Sequence, residues 1–351
     1  MAKNAYMIVS DLHLYFKNIS SRVDYVEEMK QVRMKMIDTA SKYLKAGYDK
    51  VILLLLGDVF HRGYNKVEQA VYDSNFFTLW REKIGECYSV IGNHELTYSK
   101  ENPFFSLVSS IESDKIKKIT NRVWTPKGLL PIINVVDVLQ DGEVTFYFNH
   151  YNCPISLPDS KISIGLFHQD IVCSEIVASA KQQLGSEVFA ETIDFDNAEF
   201  FNGYDYCFFG HMHKIYGTWE LGNGTTLCYL ASLGRTNVGE VNDNFLERSL
   251  PVVKVIDGQF QGIDDNKITL AGFSECVNEQ IVKEKSEQYE LTKAKKQARK
   301  YAPLDDNPLD SLFAYYLEDP YSTKVIKELL SNPVDSIGQV LEHDYAMKFG
   351  G

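Results

Sequence analysis

Five apolar runs of this sequence each end abruptly in residues that commonly bind metal ions, and this pattern constrains the fold more than any other. In open α/β sheets, ligand sites gather beyond the carboxyl ends of the strands. If the apolar runs are strands of such a sheet, five sequence-distant segments meet in one cleft. The segments are Val9–His13, Leu56–Arg62, Ile91–Glu95, Leu166–Asp170 and Phe209–His213.

The polar residues of these segments match a pair of divalent metal ions. Imidazole suits zinc, iron or manganese, and carboxylate and amide oxygens suit manganese or magnesium. Two metals about 3.5–4 Å apart can clamp a phosphate ester for in-line attack by water, and a carboxylate is the natural bridge between them. Only His150 and His343 of the eight histidines lie outside the five segments. A lone histidine is more often an ordinary core or surface residue, but five coincident segments predict a metal centre.

The remaining pattern predicts an α/β fold, a β-sandwich flanked by helices with a helical extension at the C-terminus. Helical patterns cover residues 24–46 and 67–84, with another near 174–184, and strands alternate with them. The strand-rich stretch 135–149 indicates a mixed sheet. The other predicted strands are Tyr6–Ser10, Lys50–Leu56, Cys87–Ile91, Ser163–Phe167, Tyr206–Phe209, Thr226–Leu230 and Val252–Ile256.

Composition changes near residue 265, which divides the chain into a predicted catalytic domain, 1–265, and a mainly helical extension, 266–351. The extension begins with a charged helical pattern over Glu275–Tyr301, followed by a break at 303–308 that contains proline and aspartate. Two short amphipathic segments follow, at 309–317 and 324–330. We expect this region to dock a partner or to form part of a cap over the catalytic domain.

The net charge, the spacing of the cysteines and the length of the apolar runs predict the cellular compartment of the protein and its binding preferences. The net charge of −12 does not favour non-specific nucleic-acid binding, which depends on Lys and Arg, although two metal ions would add positive charge where a phosphate sits. The six cysteines include no CxxC pair, which fits a reducing compartment. Neither a leader-like segment nor an apolar run of the roughly 20 residues that span a bilayer is evident. We expect a cytoplasmic protein without membrane association.

The five segments resemble the signature of the calcineurin-like metallophosphoesterase superfamily, which runs Asp-x-His, Gly-Asp, Gly-Asn-His-Asp/Glu, a lone His and Gly-His-x-His. All five blocks occur in this order. The resemblance implies that His94 stabilises the transition state or protonates the leaving oxygen. It also implies two divalent ions, Mn²⁺ foremost, with Fe²⁺, Zn²⁺ and Mg²⁺ as alternatives. One ion would be held by Asp11, His13, Asp58 and His213, and the other by Asp58, Asn93, His168 and His211, with Asp58 bridging.

Several blocks are similar to those of SbcD-type DNA repair nucleases within that superfamily. The block from Gly57 to His61 matches their Gly-Asp-hydrophobic-Phe-His block, in which the second histidine helps to position the DNA backbone. The block Gly210–Lys214 is also similar, and the segment Leu230–Arg235 stands where those nucleases have a small-residue loop followed by Arg. The resemblance implies a DNA exonuclease or endonuclease that acts with an SMC-like ATPase partner, and it leaves a homodimer open.

Other residues keep an alternative function open, a phosphatase or phosphodiesterase for small-molecule or phosphoprotein substrates. Glu95 stands where the nuclease branch more often has Asp, and Arg62 resembles the arginine of a Ser/Thr protein phosphatase block, where it would contact substrate. Against the protein phosphatases, Asp11-x-His13 is not followed by Gly and the last block is Gly-His-x-His. The basic cluster Lys293–Lys300 is either a DNA contact or a solvated helix face.

Overall fold

The computed structural model describes residues 2–15, 18–19, 22–61, 67–96, 103–115, 132–176, 178, 191–193, 198–241 and 246–301. Contacts divide the chain into two compact units, Met1–Val282 and Lys283–Gly351. The first unit contains two mixed β-sheets that pack as a sandwich with helices on the outside, which confirms the predicted α/β class. Among the described helices, none combines the length and hydropathy needed to cross a membrane.

The first sheet has the strand order β15-β14-β1-β2-β3-β5-β4. Its central strands β1, β2, β3 and β5 run parallel, whereas β14 and β15 add an antiparallel edge. The bounds of its strands are β1 Lys3–Val9, β2 Lys50–Leu55, β3 Cys87–Ser89, β4 Val108–Glu112, β5 Ile133–Val136, β14 Glu247–Ile256 and β15 Gln259–Thr269.

The second sheet has the order β12-β13-β11-β8-β7-β6, and its strands β7, β8, β11 and β13 run parallel. A separate parallel pair joins β9 to β10. The bounds are β6 Val138–Asp141, β7 Val144–Asn149, β8 Ile162–Phe167, β9 Ile171–Cys173, β10 Glu191–Ile193, β11 Tyr206–Phe209, β12 Tyr216–Glu220 and β13 Thr226–Leu230.

The described residues form five helices, and the first shows how a helix covers the outer face of a sheet. In this helix, α1 (Tyr25–Lys45), Met29, Val32 and Met36 recur at helical spacing and pack in the same core as alternate residues of β1, such as Met7. The other residues of β1, such as Ile8, join the core between the two sheets. The helices are α1 Tyr25–Lys45, α2 Val67–Lys83, α3 Pro103–Leu107, α4 Phe273–Cys276 and α5 Glu279–Tyr301.

Secondary structure after residue 246 differs from the sequence prediction in two details. The long edge strand β15 was not predicted, and the predicted boundary after residue 265 falls inside it. The predicted helix over 275–301 is divided into α4 and α5, because Val277 is extended, with φ −123° and ψ 136°. Most of the predicted helix at 174–184 and all of 302–351 lie outside the described residues. The docking role of the extension therefore stays a prediction.

Candidate metal centre

Two groups of ligand-type side chains meet beyond the carboxyl ends of the central parallel strands. Asp58, which follows β2, belongs to both groups, and Asn93 Oδ1 lies 3.0 Å from His168 Nε2 at the edge of the second. Strands of both sheets contribute, so the centre lies at the end of the sandwich where the carboxyl ends of their parallel strands meet. Within each group the ligand atoms lie within 4.8 Å of one another, and the groups are Asp11, His13, Asp58 and His213, and Asp58, His168 and His211.

The backbone at these positions is unusual for residues with side chains. Asp11, His13, Asp58 and His211 all have positive φ, between 39° and 69°. Such left-handed conformations cost on the order of 1–3 kcal/mol each and persist where the surrounding structure holds them in place. Gly92 allows the close approach of two loops, since a Cβ there would collide with Asp58 Oδ1. These backbone conformations direct ligand atoms from separate strands toward one point.

Hydrogen bonds determine which nitrogen of three histidines faces the centre. His168 Nδ1–H donates to the Leu56 carbonyl oxygen at 2.6 Å, and His213 Nδ1–H donates to Glu240 Oε1 at 3.1 Å. His211 Nε2–H donates to Asp170 Oδ1. When such a ring is neutral, its second nitrogen carries the lone pair that can bind a metal ion.

These lone pairs test whether the residues fit a metal ion. The second nitrogens His168 Nε2 and His211 Nδ1 lie 3.2 Å apart, and His13 Nε2 lies 2.8 Å from His213 Nε2. Two lone pairs at such a distance repel each other unless a proton or a metal ion lies between them. Imidazole nitrogens with carboxylate and amide oxygens are also the donor set that Mn²⁺, Fe²⁺ and Zn²⁺ accept. The residues fit two divalent ions.

The electrostatics of the site show the same need for positive charge. Burial alone would raise the pKa of Asp58, but the nearby imidazoles of His168 and His13 hold that pKa well below its usual range. Burial would lower the pKa of His168, yet the carboxylates of Asp58 and Asp11 outweigh it and raise that pKa to about 10. Burial and His213 lower the pKa of His13 well below its usual value. The buried carboxylates thus favour positive charge at His168, which either a proton on Nε2 or a divalent ion bound there would supply.

The two other predicted histidines lie beside the ligands. The side chain of His94 is 31% exposed, its Nδ1–H donates to the His61 carbonyl oxygen at 2.5 Å, and its Nε2 lies 3.8 Å from Asp58 Oδ2. The ring of His61 lies 5.7 Å from that of His13 and 6.0 Å from that of His94, between centroids. Nitrogens of these three histidines form a third group within 4.8 Å. Arg62 lies outside the described residues.

Glu95 has a structural role that the sequence did not reveal. Its buried carboxylate accepts three backbone hydrogen bonds, from Val59 N at 2.8 Å, Asp58 N at 2.9 Å and Gly92 N at 2.8 Å. Burial and the neighbouring Asp58 raise the pKa of Glu95 to about 8. This side chain joins the loop after β2 to the loop after β3, so that Asp58 and Asn93 lie side by side.

The roles of two carboxylates that support ligand histidines were not predicted, although Asp170 lies in one of the five segments. Asp170 follows His168 by two residues, so its proximity in sequence was the available signal. Glu240 lies 27 residues after His213, in a 3₁₀ helix over Val238–Glu240, and no local pattern marks it. A carboxylate that accepts from a metal-binding histidine sets the tautomer and the orientation of that ring.

A family model described as calcineurin-like phosphoesterase matches residues 6–215, which is more than half of the chain. The match includes all the residues predicted as metal ligands. Among curated proteins, none matches the chain in sequence.

Three solved structures are similar to the chain at low sequence identity. A 5′-nucleotidase precursor from Thermus thermophilus is 12% identical with a TM-score of 0.37, over 77% of this chain and 54% of that one. Sulfate thiohydrolase SoxB from Thermus thermophilus, in complex with glycerol, is 13% identical with a TM-score of 0.36, over 80% and 59%. A novel phosphatase from Mycoplasma pneumoniae is 10% identical with a TM-score of 0.36, over 80% and 96%. The chain thus spans little more than half the length of the first two, and a shared substrate does not follow from such similarity.

Proposed function

Since the chain belongs to the calcineurin-like phosphoesterase family, we propose that it is a dinuclear metal-dependent phosphodiesterase that cleaves DNA. Metal-dependent phosphoester hydrolysis follows from the family and from the two ligand groups around Asp58. The DNA substrate rests on the resemblance to SbcD-type nucleases and is not implied by the family alone.

The observation that carries the DNA proposal is the position of His61. Its ring lies beside those of His94 and His13, and the ring of Tyr15 lies 5.5 Å from it, between centroids. A further imidazole next to the histidine that serves the leaving group can donate to a phosphate adjacent to the scissile one. A nucleic-acid chain has such a neighbouring phosphate, whereas a small monoester does not.

The residues of the centre have separate tasks in phosphoester cleavage. When bound, two divalent ions would polarise the phosphoryl oxygens and lower the pKa of water. Because His94 Nδ1–H donates to the His61 carbonyl oxygen, His94 Nε2 is the atom that faces Asp58 and the reacting phosphate. A proton held at Nε2 can pass to the leaving oxygen, which is general acid catalysis. Leu56, Asp170 and Glu240 hold the ligand rings in their orientations.

An alternative function is supported by the charge of the chain. A net charge of −12 does not favour the long phosphate backbone of DNA, which binds through Lys and Arg. A small phosphoester or a phosphoprotein needs fewer such contacts. The same metal centre would then serve a phosphatase or a phosphodiesterase for small-molecule or phosphoprotein substrates.

A substrate panel separates the two functions. We would measure hydrolysis of single- and double-stranded DNA, of bis(p-nitrophenyl) phosphate and of p-nitrophenyl phosphate, each with Mn²⁺, Mg²⁺ and Zn²⁺. A nuclease should cleave DNA and the small diester, with Mn²⁺ as the best metal, and hydrolyse the monoester poorly. Activity confined to the small esters would end the nuclease proposal.

The partner proposals follow from the same resemblance. A cytoplasmic nuclease of this kind would dock on an SMC-like ATPase through the C-terminal extension, residues 266–351, and could form a homodimer. Removal of residues 309–351 should abolish co-purification with such an ATPase. A truncated chain that still binds the ATPase would contradict this docking role, and sedimentation analysis of the full chain would test the dimer.

A further inference from the structure

The segment Ala231–Glu240, here called the return loop, follows β13 and contacts the metal centre from outside the ligand segments. Ser232 N donates to the His213 carbonyl oxygen at 3.2 Å, and Gly234 N donates to the Asp11 carbonyl oxygen at 2.9 Å. Ser232 Oγ also donates to the Asp11 carbonyl oxygen, at 3.1 Å. Gly234 packs so tightly that a Cβ there would collide with the backbone of the Asp11–His13 segment. The return loop thus holds two ligand segments from different sheets.

The loop is anchored on its far side by buried charges. Arg235 is fully buried, and its Nη2 donates to Glu28 Oε2 of α1 and to the Ala271 carbonyl oxygen, the latter at 2.8 Å. Arg22 Nη2 donates to the same Glu28 oxygen at 2.8 Å, and Arg22 Nη1 donates to the Arg235 carbonyl oxygen. These contacts involve no metal ligand, so the loop has a fixed position of its own.

Glu240 ends the return loop, and its carboxylate is held in place by the loop itself. Thr236 N donates to Glu240 Oε2 at 2.7 Å, and Asn237 Nδ2 donates to Oε1. The side chain is only 3% exposed. Oε1 also accepts the hydrogen bond from His213 Nδ1 at 3.1 Å. A carboxylate whose position is set by other groups can in turn set the position of the imidazole.

We propose that Glu240 is a positioning residue for one metal ion only. Its hydrogen bond keeps the His213 proton on Nδ1, aims Nε2 at the ion shared with Asp11, His13 and Asp58, and raises the basicity of that nitrogen. This inference rests on the proposed metal centre. A buried carboxylate interacts more strongly with its partner than a solvated one does.

The other ion has a different supporting carboxylate. Asp170 Oδ1 accepts from His211 Nε2, and Tyr151 O–H donates to Asp170 Oδ2 at 2.9 Å. The side chain of Asp170 is 45% exposed, so solvent screens it. Loss of Glu240 should therefore weaken binding of the ion held by His213 more than loss of Asp170 weakens binding of the ion held by His211. The two ions should bind with different dependence on these two residues.

The test is a Mn²⁺ titration by isothermal calorimetry of the full chain after removal of metal with a chelator. The wild-type chain should bind two ions. Glu240→Ala should bind one of them with unchanged affinity and the other about 10–100-fold more weakly, as is usual for loss of such a supporting group. Glu240→Gln should lose less, because its amide oxygen still accepts from His213 Nδ1–H. Glu275→Gln is the matched control, because Glu275 caps α4 through Gly272 N and should leave both ions unchanged.

Ligand variants assign the effect to a site. In a His168→Ala background, which removes the ion shared by Asp58, Asn93 and His211, Glu240→Gln should weaken binding of the single remaining ion. In a His13→Ala background, which removes the ion shared by Asp11, Asp58 and His213, Glu240→Gln should have no further effect on metal binding. Electron paramagnetic resonance should then show one isolated Mn²⁺. Equal effects in both backgrounds, or unchanged affinities in Glu240→Ala, would overturn the positioning role. A wild-type chain that binds fewer than two ions would instead refute the proposed metal centre.

Discussion

Glu95→Ala is the sharpest test of how the two ligand loops are held together. The substitution removes an acceptor that the backbone amides of Asp58, Val59 and Gly92 share at 2.8–2.9 Å. Val59 is fully buried and Asp58 is almost fully buried, so water does not easily replace the lost acceptor. The loops after β2 and β3 should then separate, and with them Asp58 and Asn93.

The magnitude follows from the three donors. Each buried N–H left without a partner costs about 1–3 kcal/mol, and water that enters the space left by the side chain lowers the sum to about 3–6 kcal/mol. In a domain of this size each kcal/mol lowers the melting temperature by roughly 2–4 °C, so we expect a fall of about 6–24 °C. Glu95→Gln should fall between the wild-type and the alanine variant, because its carbonyl oxygen can still accept from Asp58 N and Gly92 N.

The assay is thermal unfolding in the presence of a chelator, so that metal binding does not contribute. Glu86→Ala is the control, because Glu86 forms a partly exposed ion pair with Lys50 at 3.1 Å, and such pairs are worth about 0–1 kcal/mol. If Glu95→Ala lowers the melting temperature no more than Glu86→Ala does, the carboxylate does not hold the loops together and the reasoning is wrong.

Three further predictions address catalysis and pH dependence. His94→Ala should keep both ions in the titration but lose about 10²–10⁴-fold in turnover, the usual range for a general acid; loss of an ion would show that His94 is a ligand. His61→Ala keeps the backbone carbonyl that His94 uses, so it should spare hydrolysis of bis(p-nitrophenyl) phosphate and reduce DNA cleavage; equal losses on both substrates would contradict the DNA proposal. Burial lowers the pKa of His150, whose Nδ1 accepts from Ile91 N at 3.0 Å, so the unfolded chain binds a proton first as the pH falls. Below about pH 6.5 the free energy of unfolding should decrease by up to about 1.4 kcal/mol per pH unit because of this group. Urea unfolding at about pH 7.5 and pH 5.5 measures this decrease, which should be smaller in His150→Gln than in the wild-type chain. An equal decrease in both proteins would exclude His150 as the cause.

The strands that carry the ligands were predictable because their signal is local. The parallel strands β1, β2 and β8 are buried on both faces, so they occur as short, continuous apolar runs that stop where the ligands begin. The strands β11 and β13 were predicted with their observed bounds. The edge strand β15 was missed because its exposed and half-buried residues do not form an apolar run. The Asp257-Gly258 turn before it, with φ of 50° and 74°, was the available signal for a hairpin.

The sequence by itself determined the chemistry of the centre, since residue types such as Asp58 and His168 and their positions after apolar runs can be recognised without knowledge of distant contacts. Tertiary structure alone decided which nitrogen of each histidine points at the ions. That choice depends on the acceptor of the opposite ring N–H, and the acceptors come from elsewhere in the chain: the Leu56 carbonyl for His168, 112 residues away, and Glu240 for His213. A hydrogen bond between residues so far apart in sequence leaves no local pattern, because packing of the two sheets and the return loop creates it.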